Sequence, residues 1–207
     1  KNPTFIFGWN TLLFLGLGVA IAVFACLHDV TEEFGAAKIF IIPGVVSYIT
    51  FIFSGYATKW SKELENPYTY LIPDSPLKKL WYATKIEHIR AIVDGIFITV
   101  PGAVFLGIGP VLTILTVLLY ICLNANRLYY NMLADVLIGN LFGNMGRSLV
   151  KMLLQSIAIG FSIVAAVLGG VFLGVEAGFF LMILIMDAFT FAGALLASVS
   201  FNRMEVM

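Results

Sequence analysis

One feature constrains this chain more than any other: its apolar residues fall in runs long enough to cross a bilayer, and a single polar island divides them. Segments 5–27, 39–58, 89–108, 111–127, 150–173 and 177–200 are nearly free of charge. A hydrocarbon core ~30 Å thick takes about 20 helical residues. Inside it the backbone must satisfy its own hydrogen bonds, so such runs fold as helices. The chain is 60% hydrophobic and 12% charged, and a soluble domain of this size could not hide that much apolar surface. The expected fold is therefore all-α. It is a six-transmembrane-helix bundle forming one membrane domain over residues 1–207, multi-pass, in the lipid bilayer.

The island runs from Lys59 to Arg90 and holds six of the twelve basic residues. Pro67, Pro73 and Pro76 favour extended backbone at Asn66, Ile72 and Ser75. Ser75 reads as an N-cap with Pro76 at the first helical position, and a helix is expected from Leu77 onward. Its spacing puts Leu77, Leu80, Trp81 and Ile86 on one face and Lys78, Lys79, Tyr82 and Lys85 on the other. The alternative is a solvated loop between two spans. A Pro-punctuated amphipathic element of this kind, segment 59–88 between spans 2 and 3, can pass force from a soluble partner to two helices. Its basic face suits an acidic groove or anionic headgroups. A second amphipathic helix is expected before span 5. There Asn131, Asp135, Asn140 and Asn144 recur at near-helical spacing among apolar residues, either at the interface or packed on other helices.

Orientation follows from the basic residues near span ends. With six spans, Lys1, Lys59, Lys62, Lys78, Lys79, Lys85, Arg90, Arg127, Arg147, Lys151 and Arg203 all fall on one side, and only Lys38 on the other. That asymmetry places both termini and the island in the cytoplasm.

Catalytic signatures are missing. The segment Gly143 to Ser148 lacks the glycine and lysine of a phosphate loop and has no preceding strand. His28 and His88 would lie on opposite sides of the membrane, so no metal site is expected. No basic and histidine partners follow Glu32 and Glu33 at helical spacing. Asp94 and Gly95 lack the further aspartates that would bind a metal. No catalytic residue is assigned. Cys26 and Cys122 sit in apolar runs and imply no disulfide. Three acids remain inside or beside the spans. Asp187, mid-way along the sixth, is the pathway candidate. The alternative is a packing hydrogen bond through Thr190 or Gln155. Asp94 stands four residues after Arg90, where a local ion pair is the simplest account. Asp135 is expected at the interface.

The run KELENPYTYLIPDSPLKKLWYATKIEHIR resembles the signature of the ABC exporter permease family of Gram-positive bacteria. The shared elements are Glu63 and Leu64, Pro67 and Tyr68, Tyr70 to Pro73, Ser75 and Pro76, and Lys78 to Leu80. The resemblance implies a membrane permease subunit in the bacterial plasma membrane, without its own ATPase site. A separate ATP-binding cassette subunit would dock on the coupling helix, and a second membrane chain, identical or not, would complete the pathway. ATP and magnesium would belong to the partner subunit, with no cofactor bound by this chain and no nucleic acid involved. The residues this assigns to ATPase coupling are Glu63, Pro67, Tyr68, Tyr70, Leu71, Ile72, Pro73, Ser75, Pro76, Lys78 and Lys79. Family members are typically longer, with a further membrane region ahead of this one, and the chain opens on Lys1. The sparse charge in the spans favours lipid-like or peptide cargo. The competing readings are a substrate-capture subunit of an ATP-driven vitamin importer and a non-transporting structural or immunity protein. Ala20, Ala22 and Ala25 miss the four-residue alanine spacing that the importer subunits share.

Overall fold

The computed structural model describes residues 9–27, 35–54, 74–138 and 143–205. Six α-helices account for nearly all of them. These are α1 (Trp9–Leu27), α2 (Ile41–Ser54), α3 (Pro76–Phe105), α4 (Pro110–Ile138), α5 (Gly143–Leu173) and α6 (Val175–Glu205). A 3-10 stretch, Gly35–Phe40, leads directly into α2. No strand occurs among the described residues.

Four helices are long and apolar enough to cross a membrane, over Thr84–Phe105, Pro110–Asp135, Met145–Leu173 and Val175–Val199. The apolar parts of the other two, Thr11–Phe24 and Ala37–Ile52, are shorter. Many large apolar side chains face outward, among them Leu13, Val104, Phe161, Val171, Phe172 and Phe191. A soluble monomer rarely exposes so much contiguous apolar surface. In hydrocarbon it costs nothing.

The centre is α4, which packs on α2, α3, α5 and α6, while α1 lies along α3. Leu119, Leu123, Leu128 and Met132 of α4 are fully buried, the first two in one cluster with Ile98 of α3, Val46 of α2 and Met186 of α6, the last two in another with Leu80 of α3 and Ala197 of α6. Successive helices run antiparallel. Two turns at one end show why. After α3, Ile108 N–H donates to the Ala103 carbonyl at 2.9 Å and Gly107 N–H to that of Val104 at 3.3 Å. This is a Schellman cap, and it needs Gly107 at φ 63°. Between α5 and α6 the single residue Gly174, at φ 99°, reverses the chain.

One sequence expectation is corrected here. The third membrane helix is not broken at Pro101 or Gly102, and α3 runs through both. Proline removes the N–H that would reach the Phe97 carbonyl. There α1 comes closest, and a side chain at Gly18 would start 2.5 Å from that oxygen. Nor is there a separate amphipathic helix before span 5 among the described residues. Residues 128–138 continue α4 and 143–149 open α5, with Asn140 outside the described residues. The polar side chains of that stretch pair across helices, so the helices extend rather than break.

Candidate functional site

Of the coupling residues, Glu63, Pro67, Tyr68, Tyr70, Leu71, Ile72 and Pro73 lie outside the described residues. Ser75, Pro76, Lys78 and Lys79 are described. Pro76 is the first residue of α3, as the sequence predicts. Ser75 caps with its backbone instead of its side chain. Its carbonyl accepts from Lys78 N–H at 2.9 Å and Lys79 N–H at 3.1 Å, and its hydroxyl makes no cap bond. Its own N–H donates to Asp74 Oδ1 at 3.3 Å, and Lys78 Nζ pairs with the same oxygen at 3.4 Å.

The faces of this helix start differ from the expected pair. Leu80 is buried against Leu128, Met132 and Ala197, and Thr84 is buried one turn on. Leu77, Trp81 and Ile86 are exposed, whereas Lys79 is only 7% exposed. Lys79 is therefore part of the packing. Lys78 is the exposed cation of the two, its side chain 68% exposed and paired only with Asp74 at the surface. The expected apolar face is not the one that packs: α4 and α6 cover the side of Lys79, Leu80 and Thr84 instead.

A chain of polar groups runs through the bundle where α4 meets α5 and α6. Asn126 Nδ2 donates to Thr190 Oγ1 of α6 at 3.2 Å, and that hydroxyl donates on to the Met186 carbonyl at 2.8 Å. Gln155 Nε2 of α5 donates to the Leu123 carbonyl at 3.4 Å. Asn131 is 1% exposed, and neither of its amide atoms has a hydrogen-bond partner. Asp135 closes the series. Its Oδ1 is 2.7 Å from Lys151 Nζ and 3.8 Å from Arg147 Nε, both on α5. Asp135, at the end of the apolar span of α4, thus joins α4 to α5 by an ion pair, with Lys151 only 3% exposed. Asn126 was not singled out from the sequence, and Gln155 only as a partner for Asp187. The available signal was the presence of amides inside largely apolar runs.

On α3, Asp94 is 7% exposed and accepts a hydrogen bond from Thr11 of α1. Arg90 lies close enough to act on it electrostatically, and its Nη1 pairs with Glu87 Oε1 at 3.4 Å. The local Arg90–Asp94 pair is therefore only part of the account. One turn nearer the start of α3, His88 stacks on Trp81 at 5.3 Å, and its Nε2 lies 3.3 Å from the Tyr129 hydroxyl of α4.

Asp187 does not make the packing hydrogen bond considered from sequence. Thr190 is taken by Asn126 and Gln155 by the Leu123 carbonyl. Asp187 is instead exposed on the outer face of α6, in line with Phe180, Leu184 and Phe191. The Cys122 side chain of α4 lies close enough to interact with its carboxylate. A carboxylate on an apolar stripe, mid-way along a helix that can span a membrane, is costly against hydrocarbon. Nothing else on that stripe is charged until the helix ends.

No curated protein and no solved structure matches the chain. A family model does, described as "Putative ABC exporter", over residues 1–205. That match covers all six helices, and the chain belongs to this family of ABC exporter membrane proteins.

Proposed function

We propose that this chain is the transmembrane permease subunit of an ABC exporter. It has six spans with both termini in the cytoplasm of a bacterial cell. It moves lipid-like or peptide cargo outward, using ATP hydrolysed with magnesium on a separate subunit. The 19 residues of α1 rise ~28 Å, and the 3-10 stretch with α2 rises about 33 Å, so both reach across a bilayer beside the four longer helices. The observation that carries the reading is the continuity of α3. From Pro76 to Phe105 it is one rod of 30 residues, ~45 Å long. A push on segment 59–73 therefore reaches the far side of the membrane without a hinge. The exposed carboxylate of Asp187 supports a second membrane chain, which would cover it and share the pathway.

The test is recovery of the ATP-binding subunit with tagged permease. Tyr70→Ala and Leu71→Ala should leave the permease in the membrane and abolish recovery, since central aromatic and apolar anchors often exceed ~2 kcal/mol each. Lys78→Ala should only weaken recovery, by under about 1 kcal/mol, and the effect should fade with salt. Lys85→Pro breaks the rod below the dock. It should keep the subunit bound and lose cargo-stimulated ATP hydrolysis. Asp187→Asn should accumulate normally and lose the same stimulation. Unchanged recovery for both Tyr70→Ala and Leu71→Ala would overturn the docking role.

A further inference from the structure

The bundle divides along the face where α3 meets α4. On one side, α1 lies along α3 and has no other extensive contact among the described helices. A Cβ at Gly18 of α1 would start 2.5 Å from the Phe97 carbonyl of α3, and Thr11 of α1 donates to Asp94 of α3. Those two helices form one body. On the other side, α6 packs extensively on both α4 and α5, and α2 packs on the same pair.

The seam between the two bodies carries charge. Glu87, Arg90 and Asp94 follow one another on a single face of α3, at spacings of three and four. Arg127 of α4 lies close enough to act electrostatically on Glu87, Asp94 and Tyr120. Arg90 Nη1 holds Glu87 Oε1 at 3.4 Å. Arg127 Nε is buried without a hydrogen bond, and so is Asp94 Oδ1. One cation on α4 is thus set against two anions on α3 that stand seven residues apart, ~10 Å of helix rise. Tyr120 fixes the level, because its ring lies against the bare backbone of Gly95, where a Cβ would start 2.8 Å from Cδ1. The helices run antiparallel, so Arg127, seven residues after Tyr120, has its backbone level with His88. Glu87 is at that level. Asp94 is six residues, ~9 Å, beyond it.

We infer that Arg127 sets the axial position of α3 against α4. It engages Glu87 in one position and Asp94 in a second, which is reached when α1 and α3 shift together toward the Pro76 end. The inference rests on the proposed function only in taking α3 as the helix that carries the push. A buried donor and a buried acceptor without partners are costly, and seating one on the other removes both costs. The long Arg127 side chain covers most of the distance to Asp94. A shift of ~3 Å, two residues of helix rise, covers the rest, and the four residues 106–109 between the helices can span it. Arg90 travels with both acids and favours neither position. Gly95 gives the Tyr120 ring no side chain to climb over.

The test uses the full chain in phosphatidylcholine nanodiscs, with Cys26→Ala and Cys122→Ala. Spin labels are placed by Val104→Cys at the Gly107 end of α3 and by Leu153→Cys near the Gly143 end of α5, both outward positions. Dipolar distances between them read the axial shift. Glu87→Gln leaves Arg127 only Asp94, and should shorten the mean distance. Asp94→Asn leaves only Glu87, and should lengthen it. The two variants should differ by about 3 Å with the parent between them. Adding Arg127→Gln to either should erase that difference. Should Asp94→Asn fail to accumulate, Glu87→Gln with and without Arg127→Gln decides alone, since the Glu87 side chain is a quarter exposed and tolerates the change. A cluster that only holds the helices together would lose stability in these variants without opposed shifts. Equal distances in the two single variants, or a shortening by Glu87→Gln that survives Arg127→Gln, would overturn the inference. Recovery of the ATP-binding subunit is read on the same variants. Opposed shifts in a chain that recovers no such subunit would count against the transporter reading alone.

Discussion

Removing Lys151 should expose how much of the α4–α5 contact depends on charge. Its ammonium lies 2.7 Å from Asp135 Oδ1, and Arg147 Nε lies 3.8 Å from the same oxygen. At an effective dielectric near 20, those separations correspond to roughly 6 and 4 kcal/mol of attraction. Bringing the ammonium out of water costs several kcal/mol in return. The Asp135 side chain keeps 16% of its exposure, and Arg147 still offsets its charge once the lysine is gone. Lys151→Met should therefore destabilise by about 2–3 kcal/mol, below the 3–5 typical of a fully buried pair losing one partner. Asp135→Asn should cost a similar amount, because it leaves Lys151, 3% exposed, without its counter-charge. The double variant should sit well short of the sum, within about 1 kcal/mol of the parent, since it removes both charges together. Equilibrium unfolding in mixed micelles across the four proteins closes the cycle. Additive losses in the double variant, or a Lys151→Met cost below about 0.5 kcal/mol, would refute the claim that this pair joins the helices.

Other outcomes follow from the same packing. Gly178→Ala should cost about 1–3 kcal/mol, because the new Cβ would start 2.5 Å from the Ala166 carbonyl and 2.8 Å from Gly170 N. Gly160→Ala, with open space around it, should be neutral or slightly stabilising in the same assay. Asn131→Leu should stabilise, by about 1–2 kcal/mol, since it removes two buried amide atoms that have no partner. A loss above about 1 kcal/mol would show that the amide is satisfied in solution. Cysteine placed by Ser61→Cys should react with an impermeant reagent only from the cytoplasm, and by Thr31→Cys only from outside. Labelling of both from one side would end the six-span reading.

How much could be read without coordinates depended on what kind of property was asked for. Apolar runs, the proline that opens α3 and the glycine turns at 107 and 174 are local: each follows from the chemistry of a few consecutive residues. So does the island's motif, and with it the family. Span limits were legible only to within a turn or two, and at residues 128–149 the polarity fitted either the interface or packing on other helices, of which the described residues show the packing. Hydropathy records what a side chain is, and its neighbours across the bundle decide what it costs. Asp135 could enter α4 because α5 carries Lys151 and Arg147 opposite it. Lys79 is buried and Trp81 exposed because α4 and α6 reach the start of α3 from the Leu80 side. Asp187 is exposed although Thr190, three residues on, is buried and bonded to Asn126; the edge of the α4 contact falls between them, and only the packing places that edge. The sequence by itself determined where helices form and that they belong in a membrane. Tertiary structure alone decided which of their polar groups are paired, buried or left facing out, because those states are set by contacts between residues far apart in the chain.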